Sequence, residues 1–362
     1  MPGRLRLAVR VPRGQPVRKN KTMKAMVLRQ YNQPLRLEEV EVPKIGAGEL
    51  LVRVKACGVC ASNLKYVREP ADYIILPHIL GHEPAGEVVE VGPNVEGFVR
   101  GDRVCVYIFV TCRACLYCTT GQENSCLQQR RIGHELPGAY AEYVKVPAWN
   151  AFKIPDGISF EEAGGIADAM VTSYHAVREK AHVRVGEDIA VMGVGGLGSN
   201  AVQLARLAGC RVIAIDITPR KLAFARTLGA DETINAQTEG VAERIRAMTK
   251  GKGVDVFFDY VGTRDSMKAG LHSLRRGGKF VLVGHEPDHD FQAKTFQEII
   301  MEEVAIIGSH ASTRNEMQAV LKLIQDGKIR PIIGSVYPLA EANEAHRALE
   351  TEEILGRIVL VP

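Results

Sequence analysis

The sequence predicts an α/β protein of two unlike parts: a β-rich domain, and a domain built on a doubly wound parallel sheet. Three observations carry that expectation. From residue 23 to about 150, short Val-rich runs are broken by Gly and Pro turns. From about 174 to 309, short apolar runs alternate with helical stretches, the pattern of a parallel sheet with crossover helices. Four cysteines, Cys112, Cys115, Cys118 and Cys126, fall in the run Cys-x2-Cys-x2-Cys-x7-Cys and mark a small lobe inside the first part.

Taken in order, residues 1–22 carry seven Lys or Arg and no acid, and read as a disordered basic tail. Met23–Leu28, Leu50–Val54, Gly86–Val91 and Tyr140–Val146 read as strands of a domain spanning 23–173, with the cysteine lobe at about 105–130. The runs at 189–192, 211–215, 254–258, 280–283 and 305–307 read as the parallel strands of a 174–309 domain. Helices are expected at 199–208 and 220–228. The segment 310–362 returns to a helix at 316–325 and a last strand, Ile358–Val361, and is expected to complete the first domain because that strand needs a sheet to join.

With 362 residues and 46% hydrophobic content, the chain can bury a sizeable core. No apolar run reaches the ~18 residues of a membrane span. The formal charge of +4 comes from the N-terminal arm, and the body is mildly acidic, so neither a nucleic-acid nor a membrane partner is expected. The arm has no hydrophobic segment of the secretory kind, and reduced or metal-bound thiols suit the eight cysteines, so the expected compartment is the cytoplasm.

Soft thiolates converging within 15 positions can enclose a tetrahedral Zn²⁺; a pair of disulfides is the competing reading, but cysteines this close form strained bridges. A closed four-sulfur site leaves no position for substrate, so its expected work is structural. A second string, Gly193-x-Gly195-Gly196-Leu197-Gly198, stands between the strand at 189–192 and the following helix, the context a dinucleotide fingerprint requires. Such glycines let backbone approach a pyrophosphate, which then meets the N–H groups of a helix N-terminus, as in a Rossmann domain. Asp216, ending the next strand, suits a ribose and repels a 2′-phosphate, favouring NAD over NADP; alternatively it only opens the turn before Pro219. Arg220 and Lys221 lie close enough to soften that preference.

Outside the lobe, Cys60 in Cys57-Gly-Val-Cys60 and His82-Glu83 after Gly81 form a further set of donor types. Singly, a cysteine reads as a small hydrophobe and a histidine as structure. With the lobe and the glycine string, they resemble the zinc-containing medium-chain alcohol dehydrogenases from Met23 to Pro362. The other markers of that resemblance are Gly-Asp-Arg-Val at 101–104, Gly-Ala-Tyr-Ala-Glu-Tyr at 138–143 and Gly-Arg-Ile-Val at 356–359.

The resemblance implies a GroES-like catalytic domain, a Rossmann domain and an active site between them. It implies two Zn²⁺ per chain: a catalytic one on Cys60, His82 and Asp168, with Glu83 a fourth ligand or a nearby acid, and a structural one on the four cysteines. For Asp168 the competing reading is a helix N-cap. Ser62 is implied to take the alcohol's proton, and Lys65 stands at the next relay station. Arg357 is implied at the pyrophosphate, and Thr172 and Val283 near the coenzyme. The implied reaction is hydride transfer from a primary or secondary alcohol to NAD, giving an aldehyde or ketone, in a homodimer or homotetramer. Two positions depart from the pattern. Asn63 replaces an Asp that orients the ligating histidine, where an amide is expected still to accept a hydrogen bond. Ala61 replaces a cation on the pyrophosphate. An enoyl or quinone reductase on the same scaffold would lack the metal donors, and a non-catalytic zinc- or nucleotide-binding module would have only the basic arm in its favour.

Overall fold

A computed structural model describes residues 22–286, 289–351 and 354–362. The expected tail at 1–22 lies outside the described residues except for Thr22, which already belongs to the first strand, Thr22–Leu28. That strand pairs antiparallel with Arg36–Glu41 and with His78–Ile79.

A seven-stranded sheet carries Glu83, with Cys60 and His82 at the ends of its strands. Its order runs from Ala151–Lys153 through Arg103–Val106, Glu83–Val91, Glu49–Val59 and Arg357–Val361 to Ile333–Pro338, and Tyr143–Pro147 also pairs with Glu49–Val59. The C-terminal strand lies antiparallel to Glu49–Val59, with Ile358 opposite Val59. Glu83 opposes Gly58 on the other side of the same strand. Three remote stretches of sequence, near 58, 83 and 357, are thus brought side by side. Gly58 is required there, because a Cβ would lie 2.7 Å from the Glu83 carboxyl carbon and 2.4 Å from the Gly164 carbonyl oxygen.

The second sheet has six parallel strands in the order Glu232–Asn235, Arg211–Asp216, Asp188–Met192, Val254–Asp259, Leu274–Leu282 and Ala305–Gly308. The order reverses direction about Asp188–Met192, which makes the crevice beyond that strand's carboxyl end the ligand position of such folds. Two details differ from the sequence reading. The edge strand Glu232–Asn235 has only one buried residue, Ile234, and so too little periodicity to be read. The run at 280–283 is the end of the longer Leu274–Leu282, whose first half hides behind Arg275, Arg276 and two glycines, so Val283 lies just past the strand.

Candidate active site and metal centres

The four lobe cysteines converge on one point with no disulfide among them. Cys112 Sγ lies 3.8 Å from Cys118 Sγ and 3.6 Å from Cys126 Sγ. Four thiolates at 2.3 Å around a tetrahedral Zn²⁺ are separated by about 3.8 Å, so the sulfurs stand where zinc needs them. Backbone N–H groups of Cys115 and Cys112 donate to the sulfurs of Cys112 and Cys126 at 3.3 and 3.4 Å, which stabilises the anionic form. Hydrogen bonds from the backbone of Cys118 and Leu127 hold the Cys115 thiol down at about 6.

The second cluster joins Cys60, His82, Glu83 and Asp168, whose donor atoms all lie within 4.8 Å of one another. The four come from three local structures. Cys60 sits where Glu49–Val59 ends and the helix Ala61–Arg68 begins, and His82 and Glu83 open the strand Glu83–Val91. Asp168 sits inside a π-helical stretch, Ile166–Met170, so it is not a helix N-cap; wide turns of this kind concentrate at functional sites. Asp168 Oδ2 is 3.5 Å from Cys60 Sγ and 3.6 Å from His82 Nε2. Burial works against charge on His82, yet hydrogen bonds with Asp168 and Cys60 hold its imidazole up at about 10. A buried set that draws a proton so strongly has the charge of a cation site, and thiolate, imidazole and carboxylate are zinc's ligand types.

Glu83 and Arg357 pair at the back of this cluster. Arg357 Nε donates to Glu83 Oε2 at 3.2 Å and its Nη2 to Oε1, while Nη2 also reaches Asp168 Oδ2 at 2.9 Å. Glu83 is fully buried and Arg357 is 5% exposed. The carboxylates around Arg357 keep it protonated against its burial. These hydrogen bonds join Arg357, which the resemblance puts at the pyrophosphate, to the metal-donor cluster. Its Nη1, however, lies 3.2 Å from where a Gly196 Cβ would be, so the same guanidinium lies beside the glycine string.

The glycine string forms the turn expected of it. Gly193 has φ +87°, and a Cβ on Gly198 would stand 1.8 Å from the Gly193 carbonyl oxygen, a contact only glycine permits. The following helix, Gly198–Leu207, starts at the last glycine. Asp216 accepts hydrogen bonds from the N–H groups of Val194 at 2.8 Å and Thr218 at 3.0 Å, which aims its carboxylate over the turn, and Lys221 Nζ is 4.0 Å away. Ser173 donates to the Leu197 carbonyl at 2.8 Å, tying the helix after Asp168 to the glycine turn.

Thr172 donates to Asp168 Oδ1 at 3.0 Å, so its hydroxyl fixes the carboxylate. Lys65 donates to the His285 carbonyl and faces Glu286 at 3.6 Å, which occupies the ammonium that a relay would need. Ser62 lies on the first turn after Cys60, and Ala61 is exposed at the start of that helix. Asn63 differs from expectation. Its Oδ1 accepts from the Cys60 N–H and the Tyr140 hydroxyl, both at 3.2 Å, and it is the amide nitrogen that faces His82 Nδ1, at 3.4 Å. Sequence reasoning missed His134, whose ring lies 5.0 Å from that of His82 and 4.7 Å from that of Tyr66. Burial, followed by the His82 charge, pushes His134 down to about 2. Its one sequence signal is a Gly-His-Glu string, 133–135, which the chain also carries at 81–83 and 284–286.

Comparison with known proteins agrees with this geometry. Residues 46–156 match the alcohol dehydrogenase GroES-like domain, and residues 196–326 match the zinc-binding dehydrogenase family. An alcohol dehydrogenase of Geobacillus stearothermophilus is 39% identical over 342 residues, covering 93% of this chain and 99% of that one. An NAD-dependent alcohol dehydrogenase of Sulfolobus acidocaldarius is 36% identical at the same coverages. The crystal structure of the alcohol dehydrogenase from the hyperthermophilic archaeon Aeropyrum pernix superposes with a TM-score of 0.88 at 34% identity, over 94% of this chain and 100% of that one. The chain belongs to the zinc-containing medium-chain alcohol dehydrogenases.

Proposed function

We propose that this protein interconverts an alcohol and its aldehyde or ketone by hydride exchange with NAD, on a metal held by Cys60, His82 and Asp168. The observation that carries the reading is Arg357, whose guanidinium is hydrogen-bonded to the metal-donor carboxylates on one side and lies beside Gly196 on the other. A ligand laid on the glycine turn thereby reaches the donor cluster. Zinc, when bound, supplies a Lewis acid that lowers the pKa of a substrate hydroxyl.

The chain's own residues do the rest. Thr172 holds the outer oxygen of Asp168 and leaves Oδ2 toward the cluster. Arg357 neutralises Glu83, which keeps that carboxylate as a buried neighbour of the ligands. Asp216 receives the adenosine ribose, with Lys221 beside it, and the N–H groups of Gly195 to Gly198 receive phosphate. Ser62 accepts the alcohol's proton as its own hydroxyl proton leaves toward solvent, and Lys65, tethered to His285, borders the coenzyme. Val283, beyond the carboxyl end of its strand, flanks the nicotinamide side.

The same reading takes 23–173 with 310–362 as the catalytic domain and 174–309 as the coenzyme domain. It assigns the protein to the cytoplasm; no helix among the described residues is long and apolar enough to cross a membrane. A homodimer or homotetramer is supported by the edge strand Ala305–Gly308, which exposes Ile306, and by exposed Phe296, Ile300 and Met301 just before it.

Zinc counting combined with NAD⁺ reduction over primary, secondary and cyclic alcohols tests the proposal. Wild type should hold two zinc ions per chain and form NADH, and Cys60→Ser should hold one and form none while keeping its fold. Full activity in Cys60→Ser would overturn it, and reduction of an enoyl or quinone substrate without zinc would favour the reductase alternative.

A further inference from the structure

His82 offers Nε2 to the donor cluster, so a metal there needs the proton of the neutral ring on Nδ1. What faces Nδ1 therefore decides how readily the ring serves. Here it is Asn63, fully buried, and the orientation of its amide is set by its neighbours. The backbone N–H of Cys60 is an obligatory donor, so the Asn63 atom 3.2 Å from it must be the oxygen. Tyr140 donates to that oxygen as well, and Tyr140 in turn lies 3.4 Å from His346 Nε2. With the oxygen so engaged, the amide N–H₂ points at His82 Nδ1, donor toward the atom that must carry a proton. Turning the amide over would satisfy His82 but leave the buried Cys60 N–H facing an N–H₂ group.

We infer that Asn63 is a positioning residue that works against metal binding by His82, making the Cys60–His82–Asp168 site the weakly held and exchangeable one of the two zinc sites. The inference rests on the reading of His82 as a ligand through Nε2. Its consequence is specific to this chain: an aspartate at 63 would accept from Cys60 and Tyr140 with one oxygen and from His82 with the other, and no donor would meet a donor.

Equilibrium competition for zinc against a graded chelator, read as zinc ions retained per chain, tests this without reference to turnover. Wild type should fall from two zinc ions to one at a free-zinc level about 10- to 100-fold higher than Asn63→Asp, the span typical of groups that orient metal-ligating histidines. Tyr140→Phe, which loosens the amide without adding charge, should tighten zinc in the same direction but less. The rise in melting temperature with added zinc, compared within each variant, gives the same ordering even if a variant's starting stability shifts. Equal zinc release in wild type and Asn63→Asp would overturn the inference. So would tightening in Asn63→Asp with none in Tyr140→Phe, which would assign the effect to charge alone. A count that never exceeds one zinc in any variant would instead overturn the ligand reading itself.

Discussion

The four-cysteine lobe and the Cys60–His82–Glu83–Asp168 cluster are both four-donor sites, yet they are built in opposite ways. The lobe draws its donors from one 15-residue stretch, all thiols, mostly half-buried, and steadied by their own backbone N–H groups. The second cluster draws its donors from three separate stretches of chain, mixes sulfur, nitrogen and oxygen, and is backed by a buried arginine. A local, uniform site can close around a metal as soon as its loop folds. A dispersed, mixed site forms only when two strands of one sheet and the π-helical turn Ile166–Met170 are in place. The first arrangement suits holding shape and the second suits chemistry.

The largest effect that would sharpen this contrast is chemical. Asp168→Ala should lower kcat/KM for alcohol oxidation on the order of 10³-fold, because several kcal/mol of charge stabilisation at the hydroxyl are lost with the ligand. Steady-state kinetics with zinc analysis checks it; a loss under tenfold would make Asp168 a bystander. Next in size is Arg357→Met, which leaves Glu83 and Asp168 buried without their counter-charge and should cost about 3–5 kcal/mol of stability. Urea unfolding measures it, and saturating zinc should restore part of the loss because a cation replaces the guanidinium.

A third effect concerns acid. His346, behind the second cluster, is pushed down to about 4 by burial and then by the charge of Arg68. The unfolded ring, near 6.5, takes up a proton first, so stability is complete above about pH 6.5 and falls as pH drops toward 4, by about 3 kcal/mol in all. His346→Phe should flatten that part of the stability–pH curve; an unchanged slope between pH 6.5 and 4 would show that His346 is not its source. The smallest effect is at the coenzyme. Ala61→Arg should lower the NADH dissociation constant about fivefold, about 1 kcal/mol for an exposed cation near phosphate, read by fluorescence titration. No change would remove Ala61 from the pyrophosphate.

Legibility followed the same division. The lobe, the glycine turn and the alternating strands could be read because their signals are local: a spacing, a string, a period. Asp168 came from resemblance, and the π-turn that seats it left no mark in the sequence. Arg357 was expected at phosphate, but only the register that sets Gly58 beside both Glu83 and the C-terminal strand reveals its pairing with the metal donors. Asn63 departs from the family pattern in the sequence itself, while the direction of its amide depends on Tyr140, 77 positions away. His134 lacked a pattern because proximity to His82 is a tertiary fact.

The most direct test of the division between the two sites is to measure melting temperature and NADH formation per folded chain, side by side, in Cys115→Ala and Cys60→Ser. The account predicts a lowered melting temperature or lost assembly with near-normal turnover in Cys115→Ala, and a near-normal melting temperature with abolished turnover in Cys60→Ser. A Cys115→Ala protein that keeps its melting temperature and loses turnover would contradict it.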